Sequence, residues 1–230
     1  MGHAGDVPGG PAMLEHEWKA WLEKRGIPVP RGVFVPAGDD ASRLPAAVGT
    51  LHPPLAVKAL GASIVHKTDV GGVRLGVRDA RAVAAVIGEM RDALARRDAG
   101  LAGFLVEEMA APGVELLLGT VRDPTFGRLL AFGLGGTRVE ALGDVRFFAL
   151  PLRPFDVDTV LAVVPWLEPA LRRAGERGMR ALRDVVWRFG GPNGVALDPG
   201  LERLEINPII ASGQGVVAVD ARGEGTRPAC

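Results

Sequence analysis

Residues suited to phosphoryl chemistry gather in one stretch, Ala56–Val73, with the sequence AVKALGASIVHKTDVGGV. Lys58 ends a short apolar run, Leu55 to Val57, and offers a point charge for phosphate. His66 can accept a phosphoryl group, and the pair Gly71 and Gly72 lets main-chain N–H groups approach an anion closely. Burying an ammonium group is costly unless an anion compensates it, so Lys58 is expected either in a structural salt bridge or against a nucleotide phosphate. A lone loop histidine is most often structural. The neighbours of His66 shift that balance, because Lys67 and Asp69 can neutralise a phosphoryl group and orient an imidazole.

A set of oxygen donors lies near the C-terminal end. In LEINP, strand alternation puts Leu204 and Ile206 on one side and Glu205 and Asn207 on the other. A hairpin turning at Gly213-Gln214 sets Asn207 opposite Asp220, with Pro208 removing one ladder donor beside it. Two carboxylates and an amide oxygen suit Mg²⁺, a hard cation that takes a few protein oxygens and completes its shell with water and phosphates. The alternative is a pair of solvated strand acids. The strand FLVEEM ends in Glu107, Glu108 and Met109, where main-chain groups could hold an adenine. The alternative there is edge-strand charge that discourages aggregation. Glu115 precedes Leu116, Leu117 and Leu118 in a run that reads as buried, so its carboxylate is expected to need partners. Gly135 and Gly136, in FGLGGT, read first as a tight turn.

The elements that must position these groups follow from periodicity. Leu14, Trp18, Trp21 and Leu22 predict a helix over 14–25, stopped by Gly26. Prolines at 28, 30 and 36 leave only a short strand at 33–35, and a short helix is expected over 39–48. The Lys58 strand and a return strand at 73–77 flank the histidine loop. Asp79 then caps a helix whose Val83, Val86, Ile87, Met90 and Leu94 share a face. Strands are expected at 104–109, 114–121, 129–132 and 145–150, with links short enough to favour an antiparallel sheet. Two or three helices follow over 155–189, then a final hairpin through 222.

Composition bounds the function class. Lys and Arg total 27 and Asp and Glu total 27, which argues against a nucleic-acid binder and makes any phosphate site local. The single cysteine, Cys230, excludes a disulfide framework and a cysteine metal cluster, the expectation for a cytoplasmic chain. No apolar run reaches the roughly 20 residues needed to span a bilayer, so no membrane partner is expected. Residues 1–13 read as a leader and 223–230 as a tail; a nucleotide-clamping lobe is expected over about 27–110 and a larger lobe over about 111–222 together with the N-terminal helix.

With these pieces placed, the chain resembles the ATP-grasp β subunit, or β domain, of ADP-forming acyl-CoA synthetases, relatives of succinyl-CoA synthetase. The stretches that carry the resemblance are GIPVP (26–30), VKALG with HKTDVGGV, VEEM followed by GVEL, RDPTFG (122–127), FGLGG with VEALGD, and LEINPII with VVAVDAR. The resemblance implies an α+β ATP-grasp fold, two lobes of mostly antiparallel sheet holding a nucleotide. It implies a ligase that interconverts acyl-CoA, ADP and phosphate with free acid, CoA and ATP through phosphohistidine. A CoA-binding α subunit would complete a hetero-oligomer, with ATP/ADP and Mg²⁺ as cofactors. Carried over, Lys58 contacts nucleotide phosphates, Glu107, Glu108 and Met109 line the adenine, and Glu115 takes the ribose. Gly135 and Gly136 cover phosphates, Glu205, Asn207 and Asp220 hold Mg²⁺, and His66 is the catalytic phosphoryl carrier. One position departs: Phe148 stands where such sequences carry arginine, and Arg146 lies two residues earlier on the same strand face. Two alternatives remain, another ATP-grasp carboxylate ligase that does not need His66, and a non-catalytic nucleotide-binding regulatory module.

Overall fold

The computed structural model describes residues 13–39, 46, 48–64, 67, 70–95, 100–136, 145–162 and 167–225. Expectations at Asp40–Pro45, His66 and Asp69 lie outside these residues. The chain divides into two compact units. The smaller comprises Leu14–His16 and Val29–Pro112, the larger the described residues of Glu17–Pro28 and Gly113–Cys230. The first helix, α1 (Glu15–Glu23), therefore contributes residues to both.

In the smaller unit, strands β1 (Gly32–Pro36), β2 (Leu55–Gly61), β3 (Val73–Val77) and β4 (Leu101–Glu108) form a sheet in the order β1-β4-β2-β3. Helix α2 (Ala80–Ala95) starts where the Asp79 carboxylate accepts from the Ala82 N–H at 2.8 Å, an N-cap that satisfies one of the orphan donors of the first turn. Its buried residues Val83, Ile87, Met90 and Leu94 repeat at helical spacing and share a core with Val57, Ala59, Phe104 and Val106. Val86, expected on that face, is only partly buried at its margin. Burial of each such side chain contributes roughly 1.5–3 kcal/mol, so α2 holds one side of this sheet firmly. Lys58 and Glu107 alternate with those core residues, so they occupy the side of the sheet away from α2.

In the larger unit, β5 (Val114–Asp123), β6 (Gly127–Leu134), β7 (Val145–Ala149), β8 (Leu201–Ser212) and β10 (Ala221–Gly225) run in the order β10-β8-β5-β6-β7, and β9 (Gly215–Ala218) also pairs with β8. Helices α3 (Asp156–Ala162) and α4 (Leu167–Gly190) follow β7, and α4 packs on β5, β8 and β9. Leu182, Val185, Val186 and Phe189 of α4 are fully buried, as their spacing predicts. Gly175, at φ 66° and ψ 179°, breaks α4 into two helical stretches, which makes three helical segments in this region.

All the strand pairs are antiparallel. One link is not the hairpin that its length suggests. β4 pairs with β1 and β2 while β5 pairs with β6 and β8, so Ala-Ala-Pro-Gly joins two different sheets. That placement also removes the edge-strand reading of Glu107 and Glu108, because β4 is an inner strand. The final hairpin has the expected register: Ser212 faces Gly215 and Ile209 faces Ala218, and the same alignment resumes with Ile206 opposite Ala221. Between those ladders the Asn207 N–H donates to the Asp220 carbonyl at 3.1 Å, while Val219 and Asp220 both turn their N–H groups to Pro208. No helix among the described residues is long and apolar enough to cross a membrane.

Candidate functional site

Two groups of candidate residues form, one in each unit. In the larger unit, Leu204 and Ile206 are buried toward the core, and alternation turns Glu205 and Asn207 to the opposite side of β8. Asn207 is held from two directions. Its Oδ1 accepts from the Gly136 N–H at 2.7 Å, and its Nδ2 donates to Glu205 Oε1 at 3.4 Å. Glu205 also accepts from Arg203 at 3.3 Å. The glycine turn after β6 is locked to the same place, because the Gly135 N–H donates to the Glu115 carbonyl at 2.9 Å. Gly136 has φ +70°, a left-handed conformation that favours glycine, and a Cβ there would push aside the Glu115 carboxylate, whose Oε2 lies 1.8 Å from that position. Glu115, Gly135, Gly136, Glu205 and Asn207 are thus brought together, with Asp220 opposite Asn207 in the link between β9 and β10.

Glu115 itself differs from expectation. It is exposed, although Leu116, Leu117 and Leu118 after it are buried. It stands next to the bulge between Leu116 and Leu118 and pairs with Ile210 on the side of the sheet that carries Glu205. The run of leucines concealed this because both faces of β5 are covered over three residues, which erases the alternation that would have exposed the acid.

The tightness of the glycine turn sets a testable limit. A Cβ on Gly135 would meet the Leu116 carbonyl oxygen at 2.3 Å and its carbon at 2.4 Å, contacts with main chain that no rotamer can relieve. Gly135→Ala is expected to cost about 2–3 kcal/mol through forced separation of β5 and β6. Thermal unfolding checks it, with an expected fall in Tm of roughly 5–10 °C.

The oxygen donors suit a hard cation. Asn207 keeps a second lone pair on Oδ1 beyond the Gly136 bond, and Glu205 is half-buried and accessible on the same side. Among the described residues no three His, Cys, Asp or Glu side chains gather in one place, so any cation here depends on the amide oxygen as well as the acids.

In the smaller unit, Lys58 is buried and salt-bridged. Its Nζ lies 2.9 Å from Glu15 Oε1 and 2.5 Å from Glu107 Oε1. Lys67, on the loop after β2, pairs with Glu15 Oε2. Sequence spacing did not single out Glu15. An acid in the first turn of a helix reads as a solvated partner of the helix dipole, and nothing local signals that it closes over a sheet. Met109, at the end of β4, is 38% exposed, and its sulfur accepts from the Gly76 N–H at 3.1 Å.

Glu108 has a different environment. It accepts from the His52 main-chain N–H at 3.0 Å, from the His52 ring at 2.9 Å and from Arg31 at 3.4 Å. Burial pushes the carboxyl up, but the His52 hydrogen bonds and the Arg31 charge together outweigh it and hold Glu108 below the usual carboxylate range. A carboxylate with a lowered folded pKa stabilises the fold above its unfolded pKa and loses that contribution as pH falls through the folded one. Glu108→Gln is therefore expected to destabilise the smaller unit by about 1 kcal/mol at neutral pH. The gap to wild type should close as pH drops through the carboxylate range, as urea titrations at several pH values would show.

Phe148, at the position where the resemblance leads one to expect arginine, has a defined orientation. Phe148 pairs with Leu130 and Arg146 with Phe132, so both lie on the side of the fully buried Leu130 and Phe132. Phe132 and Ile206 both pair with Leu118, which places Glu205 and Asn207 on the other side. Neither 146 nor 148 therefore shares a face with the oxygen donors. Arg146 does share the face of position 148, on an edge strand.

Known proteins are similar to the chain over most of its length. The profile of the ATP-grasp domain matches residues 9–223. The chain is 34% identical over 218 residues to the acetate–CoA ligase [ADP-forming] I subunit beta of Pyrococcus furiosus, covering 91% of this chain and 90% of that one. It is 32% identical over 213 residues to the acetate–CoA ligase [ADP-forming] II of Archaeoglobus fulgidus, where 91% of this chain matches 30% of a longer one. Among solved structures it is similar to the dinucleotide-forming acetyl-coenzyme A synthetase 1 of Ca. Korarchaeum cryptofilum, in complex with coenzyme A and Mg-AMPPCP and with its phosphohistidine segment pointing towards the nucleotide-binding site. That likeness has a TM-score of 0.74 and 32% identity, over 94% of this chain and 93% of that one.

Proposed function

The chain belongs to the ATP-grasp family, and we propose that it is the nucleotide-binding β subunit of an ADP-forming acyl-CoA synthetase, a ligase that makes free acid, CoA and ATP from acyl-CoA, ADP and phosphate. One observation carries this reading: 91% of the chain matches a protein that is itself a β subunit, over 90% of its length. In the Archaeoglobus relative the matching part is 30% of one longer chain. The remaining functions of such an enzyme lie outside the matched part, which supports a separate CoA-binding α subunit as partner in a hetero-oligomer.

The residues divide the work. His66 receives the phosphoryl group from the partner's phosphohistidine and passes it to ADP; the phosphorus–nitrogen bond breaks as a phosphorus–oxygen bond to the β-phosphate forms. Lys58 supplies positive charge to the nucleotide phosphates. The Met109 side chain and the strand end at Glu107 and Glu108 line the adenine, and the exposed Glu115 accepts from the ribose hydroxyls. Gly135 and Gly136 already donate their N–H groups to Glu115 and Asn207, so their part is to hold those two residues beneath the phosphates. Glu205, Asn207 and Asp220 would hold Mg²⁺, which neutralises phosphate charge when bound. What the protein contributes is alignment and charge neutralisation, as phosphoryl transfer requires.

The test is direct labelling. Incubation of the chain with Mg²⁺ and ATP labelled at the γ-phosphate is expected to give a protein-bound label that is labile in acid and stable in base, the signature of a phosphorus–nitrogen bond. Absence of label, with nucleotide binding intact, would end the phosphohistidine reading.

A further inference from the structure

The buried ion cluster of the smaller unit contains a member to which none of the roles above falls. Glu15 uses its two carboxylate oxygens separately: Oε1 accepts from Lys58 on β2 and Oε2 from Lys67 on the loop that follows. The side chain is 2% exposed, against 6% for Lys58 and 14% for Lys67. Lys58 does not need Glu15 for neutralisation, because Glu107 already lies 2.5 Å away. The effect of the second carboxylate is instead to bring a second ammonium group beside the first. Two cations on the two oxygens of one carboxylate repel each other and stay adjacent only while that carboxylate is charged. Two ammonium groups held side by side match a di- or triphosphate, whose charge is spread over several oxygens.

Resting on the reading of this chain as a nucleotide-binding subunit, we propose that Glu15 is a positioning residue that holds Lys58 and Lys67 together as a two-lysine site for the nucleotide's phosphate chain. Lys67 is then a phosphate-binding residue in its own right. A Gln at position 15 keeps the shape but turns an N–H₂ group toward one of the lysines, donor against donor, and releases it. An Asp keeps the charge on a shorter arm.

The experiment is calorimetric titration of the full chain with Mg-ADP and, separately, with AMP. Glu15→Gln is expected to weaken Mg-ADP binding by about tenfold and AMP by much less, so that the ratio of the two affinities falls. Lys67→Met should lower that ratio similarly. The double variant should be little weaker than either single one, because both changes remove the same interaction. Glu15→Asp should restore the ratio in part. A role in packing alone would lower thermal stability without moving the ratio, and that result in Glu15→Gln overturns the assignment. If Glu15→Gln does not fold, an unchanged ratio in Lys67→Met overturns it equally. A wild-type chain that does not bind Mg-ADP overturns the nucleotide-binding reading as well, whereas normal wild-type binding with unaltered ratios in the variants removes Glu15 alone.

Discussion

Lys58→Met is expected to lower the unfolding free energy of the smaller unit by about 3–5 kcal/mol, measured by urea denaturation followed by far-ultraviolet circular dichroism. The cost does not come from the attraction itself. Taking the lysine out of its pairs leaves the Glu107 carboxylate, 2% exposed, without the ammonium group 2.5 Å from it. Glu15 retains Lys67 when Lys58 is gone. The paired replacement Lys58→Met with Glu107→Leu removes both charges and keeps most of the volume. It is expected to recover more than half of the loss, since apolar replacement of a whole buried pair is often close to neutral. If Lys58 contacts the nucleotide phosphates as proposed, each variant is expected to lose at least about tenfold in Mg-ADP affinity through the missing ammonium charge. Recovery of stability without recovery of binding would separate the proposed phosphate role of Lys58 from its structural one. A single variant costing under about 1 kcal/mol would show that the cluster contributes little to the fold.

His66→Asn is expected to reduce acyl-CoA-dependent ATP synthesis by at least about 10³-fold, near 4 kcal/mol of barrier, in the enzyme reconstituted with the proposed CoA-binding partner. Asparagine can still donate and accept hydrogen bonds, but its amide nitrogen cannot carry a phosphoryl group as an imidazole can. Mg-ADP affinity should stay within about threefold of wild type, because the loss concerns transfer and not ground-state binding. Steady-state rates and calorimetry on the same preparation check both halves. Unchanged turnover would instead favour an ATP-grasp ligase that proceeds without a protein-bound phosphoryl group.

The parts of the fold legible in the sequence are those set by local rules. Asp79 announces the start of α2, and the turn at Gly213-Gln214 fixes which residues of β8 and β9 face each other. Alternation in LEINP places Glu205 and Asn207 on one side before any partner strand is known. What could not be read depends on contacts between distant segments. Ala-Ala-Pro-Gly has hairpin length, and its actual role as a link between sheets follows from which strands β4 and β5 find elsewhere. The exposure of Glu115 hangs on a bulge against β8, and the burial of Glu15 on the position of a helix start over Lys58 and Glu107. The anchoring of Asn207 by the Gly136 N–H joins residues 71 positions apart, a pairing that neither spacing nor composition encodes.

The division into two units carries a spectroscopic corollary. The sequence holds four tryptophans and no tyrosine. Among the described residues Trp18, Trp21 and Trp187 belong to the larger unit, and the smaller has only phenylalanine among its aromatic rings apart from histidine. Indole emission is thus a one-sided reporter: it follows the unit bearing Glu205 and Asn207 and is silent about the one bearing Lys58. A tryptophan introduced at Phe34, which stacks on His16 with ring centroids 3.9 Å apart, would give the silent half a voice of its own.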